Sequence, residues 1–158
     1  MKKAFVIIAI LLTGVLFNSF IGKQSAIISK KTPEDSLAIE RGKFITAILD
    51  SLNGKETMAA DSVFKNIQTF KSSQRVQVRH LMAIMNYWGE ALGVNCTYCH
   101  TPANWAQDSL RTKRIARDMY NMRLAINNEI LAKINDLASK PARVNCTTCH
   151  NGKIIPRR

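Results

Sequence analysis

Alternation of apolar and polar residues with a period of two, the pattern of a β-strand, is almost missing from this 158-residue chain. It occurs only in the short stretch RVQVR at 75–79. Apolar residues recur instead at helical spacing, so the sequence predicts an all-α fold. Hydrophobic residues make up 46% and charged residues 22%, a composition that favours one compact domain with a short appendage.

Charge is absent from Ala4 to Gly22, directly after Lys2 and Lys3. These 19 residues approach the roughly 20 that a helix needs to span a bilayer, and no small-x-small cleavage pattern ends the run. We therefore expect residues 4–22 to form an apolar helix that anchors an exported chain on the periplasmic side of the inner membrane. The alternative is a signal peptide cleaved near Ala26, which would leave a soluble periplasmic protein. The lack of cysteine near residue 20 excludes a lipid-modified cysteine anchor.

Acidic residues are also scarce, with 11 against 23 lysines and arginines, which gives a net charge of +12. A basic balance can favour nucleic acid, an anionic membrane or acidic proteins, but export argues against nucleic acid. The densest basic run lies in LRTKRIARDMYNMR at 110–123. It is either a solvated helix face or a patch that steers acidic redox proteins or neutralises cofactor carboxylates.

Three helices are predicted beyond the N-terminal segment. The first has Thr32 as N-cap, proline and acids in its first turn, and a stop at Asn53-Gly54. A second begins near Ser72 or Ser73 and ends at Gly93, a suitable C-terminal cap. A third begins between residues 108 and 112 and covers the sequence to Leu137. Loops are expected at 54–61, 101–108 and 139–145.

Cysteine and histidine are rare, and they concentrate in two copies of Cys-x-x-Cys-His. The copies contain all four cysteines and two of the three histidines, namely Cys96, Cys99, His100, Cys146, Cys149 and His150. This motif attaches c-type haem: two thiols one helical turn apart can form thioethers with the vinyl groups of the porphyrin, and the adjoining histidine reaches the iron. We therefore expect two covalently bound haem c groups.

Other uses of the cysteines fit less well. Paired cysteines in a four-thiolate zinc site are usually separated by about 15–20 residues, whereas 46 lie between Cys99 and Cys146. A thioredoxin-like pair expects a βαβ context, which the sequence lacks. Disulfides suit an exported chain. Neither zinc nor disulfides would explain the two histidines.

The second axial ligand of each iron is expected to be methionine or histidine. His80 is the one histidine left over, so at most one haem can have two histidine ligands. Met82 and Met85 precede the first motif, and Met119 and Met122 precede the second. Each pair is three residues apart and shares one helix face, so spacing does not choose within a pair. The alternative is that these methionines only fill the core.

From about residue 63 to 156 the chain resembles the cytochrome c subunit of photosynthetic reaction centres and its two-haem relatives. The shared pattern is VFKNIQTFK, LMAIMNYW, VNCTYCH, TKRIARDMYNMRLAIN and CTTCHNGKIIP, in that order. The resemblance implies that Met82, six residues before Trp88, ligates the first haem iron. It also implies that Met119 ligates the second, while Met85 and Met122 pack beside the rings.

Two departures from that family matter. The four-haem subunit has further CxxCH motifs and a histidine before its second motif that ligates another haem, and this chain has neither. The chain therefore resembles a stand-alone half, and membership of a reaction centre is not implied. The expected divisions are an anchor or signal peptide at 1–26, a helix and linker at 27–62, and a dihaem domain at 63–158.

The function expected from these features is that of an exported dihaem cytochrome, with helices packed around two haems, that passes single electrons from a donor to an acceptor protein. It would be a carrier rather than an enzyme, with membrane contact through its N-terminal segment. The alternatives are a peroxidase-type enzyme with one open haem position, or a cytochrome subunit of a larger membrane complex. Trp88, Tyr98 and Trp105 are expected to pack against a porphyrin or within the core.

Overall fold

The computed structural model describes residues 32–70, 75–139 and 141–156. Five helices form its framework: α1 (Pro33–Asp50), α2 (Ala60–Val63), α3 (Val78–Leu92), α4 (Arg111–Ala125) and α5 (Cys146–His150). The described residues contain no β-strand and only two isolated bridges. The prediction of an all-α fold is therefore confirmed.

The expected apolar helix at residues 4–22 lies outside the described residues. None of the helices in the described ranges is both long enough and apolar enough to cross a membrane.

Helix α1 begins with the predicted N-terminal cap. The Thr32 hydroxyl accepts a hydrogen bond from the Asp35 backbone nitrogen at 3.1 Å, and the Asp35 carboxylate accepts one from the Thr32 backbone nitrogen at 2.9 Å. This reciprocal pair is a capping box, and Pro33 occupies the first helical turn. The helix ends at Asp50, just before the chain turns through positive φ at Asn53 and Gly54.

Helix α3 begins at Val78, later than the predicted start near Ser72 or Ser73. The backbone ahead of it pairs with another segment: Ala60 N donates to Val76 O at 2.8 Å, and Val78 N donates to Met58 O at 3.0 Å. These bonds occupy the backbone that a longer helix would need. The predicted end is confirmed, because Gly93 caps the helix in the left-handed conformation.

Helix α4 begins at Arg111, within the predicted interval, but its regular part ends at Ala125 rather than near Leu137. A π-helical turn (Ile126–Ile130) and a 3-10 turn (Leu131–Lys133) follow. The buried Asn127 lies in this wider turn and exchanges two hydrogen bonds with the Val144 backbone, at 2.9 and 2.8 Å. The irregular turn therefore connects α4 to the segment that enters the second CxxCH motif.

Helix α3 is the centre of the packing. Its Val78, Leu81 and Met82 are buried together with Phe70 and Tyr120, and the apolar face of α1 packs against this cluster. The Phe70 ring packs against both Trp88 and Tyr120, with centroid distances of 6.1 and 4.8 Å. Burial of these aromatic and aliphatic side chains holds α1 and α4 against α3.

The C-terminal half of α3 contacts the second CxxCH motif, which forms α5. The Tyr87 hydroxyl lies 3.1 Å from the Thr147 hydroxyl of α5, and Gly152 N donates to Ala91 O at 2.9 Å. Gly93 lies against the same backbone, since a Cβ on it would stand 2.2 Å from Gly152 O. The end of α3 and the end of the second motif are therefore in backbone contact.

This contact makes Gly93 sensitive to a single methyl group. Gly54→Ala should cost about 1–2 kcal/mol of unfolding free energy, because Gly54 has positive φ but no neighbour within 4 Å of an added Cβ. Gly93→Ala should cost roughly 1–3 kcal/mol more, because its Cβ must also displace the Gly152 backbone. Urea unfolding of the two haem-loaded variants measures the difference, and equal costs would contradict the close contact.

Candidate haem sites

The first CxxCH motif opens onto a cavity of about 720 Å³ between α1, α3 and the loop at 101–108. This volume lies within the range of cavities that hold cofactors. The lining includes the motif residues and both candidate methionines of α3, namely Cys96, Cys99, His100, Met82 and Met85, together with Trp88 and Trp105. The structure thus brings the first predicted site together, but both methionines of the pair line it.

The aromatic and histidine predictions around this cavity have mixed outcomes. Trp88 packs 5.6 Å from Tyr120 and also lines the cavity, so its contact with a porphyrin stays a prediction. Tyr98 is not among the lining residues; its carbonyl oxygen accepts a hydrogen bond from the Thr112 hydroxyl. His80 is exposed and does not line the cavity either.

The His100 ring is held in one orientation. Its Nδ1 lies 3.3 Å from the Trp105 carbonyl oxygen, and a carbonyl can only accept, so Nδ1 carries the proton. The other nitrogen, Nε2, is left with the lone pair that a metal ligand needs. Burial lowers the pKa of His100, which favours this neutral form. The Trp105 ring packs 5.6 Å from His100 and 5.7 Å from Phe44 of α1.

Ionic contacts hold the loop that carries Trp105. Lys113, which is buried, donates to the carbonyl oxygens of Trp105 at 2.9 Å and Gln107 at 2.8 Å, and pairs with Asp108 at 3.2 Å. Arg117 contacts both oxygens of Asp108, at 2.8 and 2.9 Å. These bonds from Arg117 hold the pKa of Asp108 well below its usual range.

The basic run of α4 is therefore not simply a solvated face. Lys113 and Arg117 are engaged as above, and Arg114 donates to the Asp108 carbonyl oxygen at 2.7 Å. These three cations stabilise the loop beside the first motif. The sequence could not indicate this role, because Asp108 carries no signal that distinguishes it from any other loop aspartate.

The cysteines show none of the features of the rival sites. Burial raises the pKa of the Cys96 and Cys99 thiols, whereas a thioredoxin-like nucleophile has a lowered pKa. No disulfide joins any of the four cysteines. Within the described ranges, no three His, Cys, Asp or Glu side chains are grouped so that they could hold a metal ion. The two cysteine pairs do not converge on one zinc site.

The second motif forms α5, and its histidine repeats the arrangement of the first. Asn145 caps the helix, accepting from Thr148 N at 3.0 Å and donating its own backbone N–H to the Thr148 hydroxyl at 3.0 Å. His150 Nδ1 lies 3.0 Å from the Lys153 carbonyl oxygen, which again leaves Nε2 with a lone pair that could bind a metal. Cys146 is half-buried and Cys149 is exposed, so this site is more open than the first.

The methionines predicted for the second site lie on α4 as part of an exposed apolar stripe. Ile115, Met119 and Met122 are 42%, 36% and 45% exposed. At 100° per residue they fall within about 60° of one another on the helix. Such a stripe is typical of a surface that another group covers, and a porphyrin face would do so. Met119 and Met122 are both accessible on it, so the geometry does not choose between them.

A family model described as photosynthetic reaction centre cytochrome C subunit matches residues 22–158. The chain belongs to this family. The match includes α1, which lies outside the region in which the sequence motifs are recognisable. As a member of a cytochrome c family, the chain carries covalently bound haem c.

Similar proteins are all longer than this chain. The photosynthetic reaction center cytochrome c subunits of Thermochromatium tepidum and Roseobacter denitrificans are 31% and 32% identical over 62% and 65% of it. Cytochrome c-554 of Chloroflexus aurantiacus is 33% identical over 54%. These matches cover 23%, 28% and 22% of the respective relatives, so the chain spans about a quarter of their length.

Two buried polar groups line the first cavity without a signal in the sequence. Arg41 of α1 is only 5% exposed and lines the cavity. Asn95, next to Cys96, also lines it, and its buried Oδ1 has no hydrogen-bond partner among the described residues. Arg41 fits a haem, because its guanidinium can donate to a propionate, whereas the Asn95 oxygen can only accept and would need a donor. Neither residue stands out in the sequence.

The cluster of Asp108, Lys113 and Arg117 should stabilise the fold in a pH-dependent way. Asp108→Asn should lower the unfolding free energy by about 2 kcal/mol at pH 7, because it weakens bonds from Lys113 and Arg117. A carboxylate with a depressed folded pKa stabilises the fold above its unfolded pKa of about 3.9 and loses that contribution as pH falls further. The difference from wild type should therefore narrow below about pH 4 in urea titrations.

Asp118, an exposed residue of α4, provides the control. Asp118→Asn removes the same charge and should change stability by less than about 0.5 kcal/mol. Equal effects of the two substitutions at pH 7 would argue against the Asp108 cluster.

Proposed function

We propose that this chain is an exported dihaem c-type cytochrome that passes single electrons between protein partners. Cys96 and Cys99 attach one haem, with His100 and Met82 as axial ligands. Cys146 and Cys149 attach the other, with His150 and Met119 as axial ligands. Haem c supplies a one-electron Fe(III)/Fe(II) couple at each site.

The observation that carries this proposal is the shared state of the two motif histidines. Both use Nδ1 to donate to a backbone carbonyl a few residues downstream, so both offer Nε2 to a metal. A disulfide-forming cysteine pair would not need this arrangement, and a zinc ion would need a group of at least three ligands, which the described residues do not bring together. Finding it at both motifs supports two haems rather than one.

The methionines support a carrier rather than an enzyme. Met82 is 9% exposed and lines the first cavity, where a thioether can complete an iron coordination sphere. Methionine opposite histidine raises the reduction potential and leaves no open position for a substrate. The second site has Met119 on the α4 stripe for the same role.

The partners we propose are a donor and an acceptor redox protein, at least one of them associated with a membrane. The relatives named reaction center cytochrome c subunits support this class of partner. Residues 4–22 would anchor the chain on the periplasmic side of the inner membrane, and nucleic acid would have no part. The chain spans only 23% and 28% of the two reaction center subunits named above, so assembly into a reaction centre is not part of this proposal.

The axial assignment predicts how the first haem responds to substitution. Met82→His should lower the midpoint potential of one haem and keep it low-spin, because imidazole replaces the thioether that favours Fe(II). Met85→His, three residues further along the same helix face, should leave both midpoint potentials near their original values. Redox titration of the haem-loaded variants measures both. If only Met85→His moves a potential, Met85 is the ligand.

The number of haems and their open positions separate a carrier from a peroxidase-type enzyme. Intact mass of the denatured protein should show two covalent haems, and Cys146→Ala/Cys149→Ala should remove one of them. Reduced wild-type protein should bind carbon monoxide poorly, since both irons have six protein or porphyrin ligands. Rapid binding at one haem would favour the enzyme, and fewer than two covalent haems would overturn the proposal.

A further inference from the structure

Arg41 is an unusual residue to find inside this protein. Arg41 is the one residue of α1 that is buried, at 5% exposed. The apolar residues of the same helix are half-buried or exposed. Arginine is almost never fully buried unless its charge is paired. Its environment should therefore contain an anion.

The partners that the structure gives Arg41 are neutral. Its Nε donates to Asn86 Oδ1 at 3.0 Å and its Nη1 donates to the Val94 carbonyl oxygen at 3.1 Å. In the described part of the chain, ion pairs within 4.0 Å join only Asp108 to Lys113 and Arg117. Glu40, its neighbour in sequence, is exposed. The guanidinium has five N–H donors, so these bonds leave it both charged and able to donate further.

The position of Arg41 indicates where the anion belongs. Arg41 lines the same cavity as Cys96 and His100. Gly89 of α3 leaves the space that its side chain occupies, because a Cβ on Gly89 would stand 2.8 Å from Arg41 Cδ and 3.1 Å from Val94 O. The arginine is thus built into the wall of the first haem cavity by two helices.

We propose that Arg41 binds a propionate of the first haem. A haem carries two carboxylates, and the planar guanidinium fork matches a carboxylate in geometry and charge. Propionate binding would neutralise the one buried charge that the described residues leave without a counter-ion. This inference rests on the proposed function, since it requires a haem on Cys96 and Cys99. It assigns α1 the role of closing the first haem site.

The direct test is redox-difference infrared spectroscopy of the haem-loaded full chain with ¹³C-labelled propionates. Arg41→Gln should shift a carboxylate band that the ¹³C label identifies. At pH 8 it should also favour the oxidised form of the first haem roughly tenfold, which lowers the midpoint potential of that haem by about 59 mV for one electron. Lys43→Gln, an exposed charge on the same helix, is the matched control and should leave band and potential unchanged.

A second variant keeps the test decisive if Arg41→Gln fails to retain haem. Arg41→Lys preserves the charge but not the two-pronged geometry, so it should restore the potential while still shifting the carboxylate band. Bands in every Arg41 variant that match those of Lys43→Gln would overturn the inference and point to another anion. Counting the covalent haems of the wild type tests the proposed function separately. Two covalent haems together with an unshifted carboxylate band would refute propionate binding by Arg41 and leave the proposed function standing.

Discussion

The arrangement on which both candidate sites depend is the hydrogen bond from a histidine Nδ1–H to a backbone carbonyl. It fixes the neutral tautomer and leaves Nε2 with the lone pair that a metal ligand needs. At His100 the acceptor is Trp105, whose loop is held by Lys113 and Asp108. At His150 the acceptor is Lys153, reached directly after the short α5. The loop residues after each motif therefore hold the histidine ring of that motif in one orientation.

The two sites differ in how the chain encloses them. The first is a cavity walled by α1 and α3, with a buried arginine and a buried methionine in its lining. The second motif lies where α5 contacts the C-terminal half of α3, and its Cys149 is exposed. Because α3 contacts both, it sets the geometry between them. A carrier with one enclosed and one open haem would offer its partners the open one.

Features that depend on a few neighbouring residues could be predicted from the sequence, whereas contacts between residues far apart in sequence could not. The capping box of α1, the glycine that ends α3 and the two haem motifs are local chemistry, and the structure bears out the first two. The predicted start of α3 was wrong because residues 58–60 form backbone hydrogen bonds with Val76 and Val78. Arg41 and Asn127 act through partners 45 to 53 and 17 residues away in sequence, which no local pattern reveals.

The central claim is two haems, each held between histidine and methionine. Near-infrared magnetic circular dichroism of the oxidised protein tests it most directly, because the ligand-to-iron charge-transfer band distinguishes methionine–histidine from bis-histidine ligation. We predict one type of signal, that of methionine–histidine, with the intensity of two haems per chain. A bis-histidine or high-spin signal from either haem, or intensity for one haem only, would contradict the account.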